Sequence, residues 1–230
     1  MGLPRDYDVD PDRYRLGMQV TGKYLDPAQT PLQERIWQLL PDRGEEIIAD
    51  VGCADGALAV ARPAGRRALL AGFDLSAAMT RAHPPPAVRA DATALPLRDA
   101  SVTGVVAANV LYHLDDPLPA IREAHRVLTP GGIIVAATIS RADSPELASV
   151  WRPRPSTFDA EDAAGLTGSV FGSVEVERWD APLITLPDAA AVRDYLVARM
   201  MPPEQAAAAA ARIRTPLAVT KRGALLWCTR

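Results

Sequence analysis

Asp50 lies within the run Ile47 to Gly56, IIADVGCADG, and Asp74 closes a later apolar run, LLAGFD. A buried strand that leads through an acid into a small-residue turn builds a site for a nucleotide-like cofactor. Where side chains are missing the backbone can approach a ligand, and the helix that follows presents free N–H groups. The spacing to Asp74 suits a second strand whose terminal carboxylate grips ribose hydroxyls. The implied chemistry is recognition of an adenosine-type cofactor. A candidate general base follows the apolar run SVTGVVAANV: His113, in LYHLDD. An imidazole there titrates near neutrality and can take a proton from an acceptor hydroxyl or amine. His83 and His125 have no such context. Asp115 and Asp116 read as the cap of the next helix, because two adjacent acids without further ligands do not specify a divalent ion. No metal is expected.

Positioning these groups requires a sheet. The spacing predicts a helix over 30–40, with Leu32, Ile36 and Leu39 on one face, and IIADV as the first buried strand. A short helix over 57–61, a strand over 68–74, a helix over 76–82 stopped by three prolines, and a short strand over 87–90 follow. The continuous apolar run 101–110 fits a central parallel strand buried on both faces. A helix over 117–128 ends at Thr129–Gly132, and 133–139 is the next strand. Strands alternating with helices mean a doubly wound parallel sheet. Beyond Ser140 a proline- and arginine-rich loop (141–156) leads to a helix at 157–168 and an edge strand at 174–180. Helices at 188–200 and 203–213 read as an insertion before a final extended segment with a turn near Lys221–Gly223. Residues 1–16 are polar and read as a loop or mobile arm.

The 230 residues carry a formal net charge of −3 and a pI near 5.7, so no global positive field attracts nucleic acid. Two cysteines without metal-ligand spacing read as free thiols in a reducing cytosol. No stretch is long and apolar enough to span a bilayer, and MGLPRDYDVDPDRYR is too charged for a secretory signal. A cytoplasmic location is the expectation. The oligomeric state is not legible.

DVGCADG at 50–56, DLSAAM at 74–79, ADATALPL at 90–97, NVLYHLDDP at 109–117 and RVLTPGG at 126–132 resemble the successive motifs of class I S-adenosylmethionine-dependent methyltransferases. The likeness is to the small-molecule branch related to ubiquinone and menaquinone methyltransferases, and it covers residues 30–140 well. It implies an α/β, doubly wound, mostly parallel seven-stranded Rossmann-like sheet with helical additions. Residues 1–40 would be an arm and helix covering the cofactor cleft, and 41–230 the core, with the insertion at about 188–213. S-adenosylmethionine would be the cofactor and S-adenosylhomocysteine the product. The resemblance assigns Asp50 to the amino group of the methionine moiety and Gly52, Cys53, Ala54 and Gly56 to the turn, Ala54 standing where glycine is usual. It assigns Asp74 to the ribose, Leu75 and Met79 to the adenine face, and Asp91 with the Ala92 N–H to the adenine edge. Asn109 would orient the methionine amino group. Tyr14, Tyr24 and Tyr112 are expected to touch the acceptor. Trp151, Arg152 and Arg154, in the loop after the fifth strand, suit an anionic or planar acceptor.

The expected partner is a small metabolite, such as a natural-product intermediate, methylated on oxygen or nitrogen. A nicotinamide dehydrogenase would need glycine at Ala54 and Ala57. Two readings stay open beside the first: an RNA methyltransferase using a patch of Arg152, Arg154, Lys221 and Arg222, and a domain that binds the cofactor without catalysis.

Overall fold

The structure, a computed structural model, describes residues 7–230. Its elements run α1 (Pro11–Tyr24), α2 (Leu32–Leu39), β1 (Ile47–Val51), α3 (Ala57–Val60), β2 (Leu69–Asp74), α4 (Ala77–Ala82), β3 (Ala87–Arg89) and β4 (Val102–Ala108). They continue with α5 (Leu118–Val127), β5 (Leu128–Ile139), α6 (Ala163–Phe171), β6 (Glu175–Leu186), α7 (Ala189–Ala198), α8 (Pro203–Ala210) and β7 (Leu217–Thr229). The seven strands form one sheet in the order β3-β2-β1-β4-β5-β7-β6. The first five are parallel, and β7 runs antiparallel to both β5 and β6. The order reverses between β1 and β4, which opens a crevice at their carboxyl ends.

Successive side chains of a strand point to opposite faces, and here both faces are apolar. Ile48, Val106 and Val135 pack under α2 and α3 with Trp37 and Leu58, whereas Ala49, Val105 and Ile134 pack on the other side with Ala124 and Val127 of α5. The Trp37 indole N–H donates to the Leu58 carbonyl at 2.9 Å, which ties α2 to α3.

Four expectations are corrected. Residues 11–16, read as loop or arm, are the first turns of α1: Asp10 accepts from the Arg13 N–H at 3.1 Å, and Pro11 suits the first helical turn. Residues 1–6 of the expected arm lie outside the described residues. The helix read at 157–168 begins only at Ala163, because Asp159 and Glu161 are occupied with Arg141 and Ser140. The segment 129–132 is an irregularity inside β5, where the register with β4 shifts and Gly131 takes φ +76°. Finally, Lys221–Gly223 is no turn. β7 runs straight through, pairing Arg222 with Asp180 and Gly223 with Trp179. A Cβ on Gly223 would lie 2.2 Å from the Trp179 ring, so glycine there reflects packing under an indole.

Candidate cofactor and acceptor site

The turn after β1 is strained. Gly52 and Gly56 have φ of +69° and +96°, and Ala54 has φ +48°, where a Cβ costs roughly 1–2 kcal/mol. The Asp74 carboxylate compensates for part of this by accepting from the Ala54 N–H at 3.0 Å with one oxygen and from the Ser76 N–H at 2.9 Å with the other. A carboxylate has about four lone-pair sites, so two remain directed outward for hydroxyl donors. Gly52 is pinned from below: a Cβ there would lie 2.3 Å from a Val110 methyl. The helix after the turn, α3, is only four residues long, so it offers less of a helix terminus than the sequence suggested.

Asp50 lies beside this turn and is 4% exposed. Burial, joined by the nearby charge of Asp74, pushes its carboxyl up to about 7, and no hydrogen bond opposes the rise. A buried acid in this condition is a natural partner for a cation. Asp91 is exposed and bends the chain after β3: its Oδ1 accepts from the backbone N–H and hydroxyl of Thr93, both at 2.8 Å. Ala92, half-buried beside it, packs on the apolar clusters under β1 and β4. Asn109, at φ +56°, ends β4, in a conformation that asparagine tolerates better than most residues.

Beyond Asn109 a short 3₁₀ turn, Leu111–His113, carries the aromatic side of the site. The Tyr112 and His113 rings lie 4.5 Å apart. Tyr14, from α1, is half-buried; burial, then the charges of Asp55, Tyr7, Asp50 and Tyr112, raise its phenol above the usual range. The helix read from sequence as an arm thus places Tyr14 among Asp50, Asp55 and Tyr112.

Several expected residues lie elsewhere. Met79 is fully buried, so its side chain is part of the core; Leu75, 63% exposed, remains available to a ligand. The Cys53 side chain is buried behind the turn, close to Gly72, and burial raises its thiol. Only its backbone is offered. Tyr24 ends α1 and packs with Trp151 on the cluster built around α7 and α8, so neither ring joins His113. Arg152 is exposed and donates to the Ala148 carboxyl-end carbonyl at 3.2 Å, and Arg154 is exposed as well. Lys221 is paired with Asp143, which is only 2% exposed, and Arg222 with Asp180 at 2.9 Å. These two cations are neutralised, which removes half of the patch an RNA reading needs.

Sequence reasoning missed three residues. Tyr7 places its hydroxyl 3.4 Å from His113 Nε2. Asp8 accepts from the Ser76 hydroxyl at 2.6 Å and the Ala78 N–H at 2.7 Å, at the start of α4. His83 is buried behind the turn against Gly56 and Gly72, its Nδ1 facing the Pro84 carbonyl and its Nε2 without a partner among the described residues. The sequence signal for Tyr7 and Asp8 was their place in a charged, aromatic segment. Nothing local pointed to His83.

Comparison with known proteins bears on this geometry. Residues 49–136 match a family model described as a methyltransferase domain. The matched segment runs from β1 into β5. The chain is 30% identical over 132 residues to 27-O-demethylrifamycin SV methyltransferase of Amycolatopsis mediterranei, covering 53% of this chain and 48% of that protein. It is 29% identical over 148 residues to the malonyl-[acyl-carrier protein] O-methyltransferase of a Marinomonas species, covering 60% and 54%. The chain thus spans about half the length of these curated relatives. Among solved structures, the [4+2]-cyclase SpnF superposes with a TM-score of 0.63 at 18% identity, over 100% of this chain and 99% of that one, which shows the shared fold.

S-adenosylmethionine is accordingly the cofactor of the methyltransferase domain, and the residues present fit it. Asp50 is a buried carboxylate without a hydrogen bond from the described residues, suited to an ammonium group. Asp74 is anchored by two backbone donors and keeps lone pairs for a diol. No cluster of three or more metal-ligating side chains occurs among the described residues.

Proposed function

We propose that the protein transfers a methyl group from S-adenosylmethionine to an oxygen or nitrogen of a small metabolite, such as an intermediate of natural-product assembly. The observation that carries this reading is that Asp50 in β1, Asp74 at the end of β2 and Asp91 just after β3 sit on three neighbouring parallel strands, with His113 in the turn after β4 on the other side of the switch. The cofactor supplies an electrophilic methyl on a sulfonium, which is already a good leaving group. The chain's own work is therefore placement and exclusion of water. Asp50 holds the ammonium end, Asp74 the ribose hydroxyls and Asp91 the adenine amino group; Leu75 covers the adenine face. Asn109 orients the methionine end. His113 accepts the proton of a hydroxyl or protonated amine, with Tyr14 and Tyr112 flanking the acceptor.

The two curated relatives, both named as O-methyltransferases or as acting on a 27-O-demethyl compound, support oxygen as the acceptor atom. One observation favours a second reading: a protein of the same fold and extent is a [4+2]-cyclase, so the fold also serves chemistry without methyl transfer. Calorimetric titration with S-adenosylhomocysteine, followed by turnover of S-adenosylmethionine against hydroxyl- and amine-bearing metabolites, separates the readings. Tight binding with methylated product establishes the first. Binding with no methyl transfer to any acceptor supports the non-catalytic or cyclase-like alternative, and failure to bind overturns both.

A further inference from the structure

The ring that fills the space in front of His113 belongs to the protein itself. Tyr7 meets the His113 ring edge-on, with centroids 5.9 Å apart and planes at 87°, and its hydroxyl lies 3.4 Å from Nε2. Tyr14 closes a second side, 5.8 Å away at 77°, and the Arg13 guanidinium lies 5.8 Å from the Tyr7 ring centroid. Such edge-to-face contacts are favoured for aromatic quadrupoles, and a guanidinium beside a ring adds to them. A phenol is therefore already seated in an aromatic box, with its oxygen toward the one candidate base. The rest of the box comes from fixed elements: His113 and Tyr112 from the turn after β4, and Tyr14 from α1.

Tyr7 is attached differently. It precedes α1 and is followed by Asp8, whose carboxylate takes donors from Ser76 and Ala78. Those contacts lie next to Asp74, so the segment crosses from the ribose end of the cleft to the acceptor end. Asp8 is exposed, and these hydrogen bonds hold its carboxyl below the usual range. These contacts of Asp8 are polar and lie at the surface, where water can replace them.

We infer that Tyr7 is an internal stand-in for the acceptor, and that the acceptor is a planar, hydroxyl-bearing aromatic ring that displaces it. This rests on the proposed function and narrows it from a small metabolite to a phenol. Ring size, edge-on neighbours and a base at the hydroxyl end are the features a phenol recognises, and a saturated alcohol lacks the quadrupole they select for. Release of Asp8 from α4 would withdraw Tyr7 and admit the acceptor, so that binding is weakened by the fraction of molecules in which Tyr7 is seated.

The test titrates 4-methylphenol, the tyrosine side chain as a free molecule, into protein saturated with S-adenosylhomocysteine. Cyclohexylmethanol serves as the saturated comparison. Tyr7→Ala should bind 4-methylphenol at least tenfold more tightly than the native chain and more tightly than it binds cyclohexylmethanol. Asp8→Asn, which leaves the Tyr7 ring present but weakens its attachment, should tighten 4-methylphenol binding at least threefold. It decides the matter alone if Tyr7→Ala does not fold. Equal affinity in native and variant proteins, no binding to either variant, or equal affinity for the two probes overturns the inference. Failure of the native protein to bind S-adenosylhomocysteine in the first step would instead count against the cofactor site.

Discussion

Asp50→Asn probes the cofactor site and its electrostatics together. Burial and the charge of Asp74 raise the Asp50 carboxyl from 3.8 to about 7. The folded protein then holds this proton more tightly than the unfolded chain does. Stability from this group is fully present below about pH 3.8 and is lost as pH rises through about 7. The rise costs the folded state about 4 kcal/mol at pH 8 and about 2 kcal/mol at pH 5. Asparagine keeps the shape and removes the titration. In urea denaturation the variant should be the more stable protein, by a margin that widens by about 2 kcal/mol from pH 5 to pH 8. Its affinity for S-adenosylhomocysteine should fall at the same time, by roughly tenfold or more, the scale of one hydrogen bond to a charged group. Native affinity should rise with pH through the neutral range, as the carboxyl ionises. A stability margin that stays flat with pH would refute the buried-acid argument, and unchanged affinity would remove Asp50 from the site.

Asp74→Ala should weaken S-adenosylhomocysteine binding by at least about 1.5 kcal/mol in calorimetry, because it also frees the Ala54 and Ser76 N–H groups; an unchanged constant would make Asp74 a solvated strand end. His113→Gln should lower turnover by about 10²- to 10⁴-fold and leave S-adenosylhomocysteine affinity within about twofold. A rate within a few-fold of native would return the histidine to a structural role. Lys221→Met leaves Asp143 buried without its cation and should cost about 3–5 kcal/mol in urea denaturation. A loss below about 1 kcal/mol would mean that the pair is solvated.

The sheet was legible because β1, β2, β4 and β5 are covered on both sides and so read as apolar runs bounded by turn residues. The carboxylates at their ends followed from the same pattern. What escaped was whatever depends on partners distant in sequence. The segment PDRYRLGMQVTGKY has little apolar character, yet it is helical because it packs on α7: Gly17 brings its backbone to 3.6 Å from the Ala198 side chain, measured from the Cβ it lacks. Lys221–Gly223 has the composition of a turn, but Asp143, Asp180 and Trp179 hold it in a strand. Met79 occupied the right motif, and no local pattern could say which way its side chain faces. The acceptor wall was the least visible part, because Tyr7 meets His113 across 106 residues of chain.

The cluster that joins α1 to α7 and α8 has a further consequence. Its buried members, among them Val20, Leu147, Val192, Tyr195 and Ala206, include no residue of β1 through β5. Strands β1 through β5 and their flanking helices bury other clusters. The layer of α1, α7 and α8 is thus a smaller packing unit, tied to the rest through β6 and β7. It can loosen at a free-energy cost set by its own contacts, while the cofactor half stays folded. Substitutions that reshape the acceptor side draw on that smaller reserve, so this wall can diversify in sequence without endangering the half that holds the methyl donor.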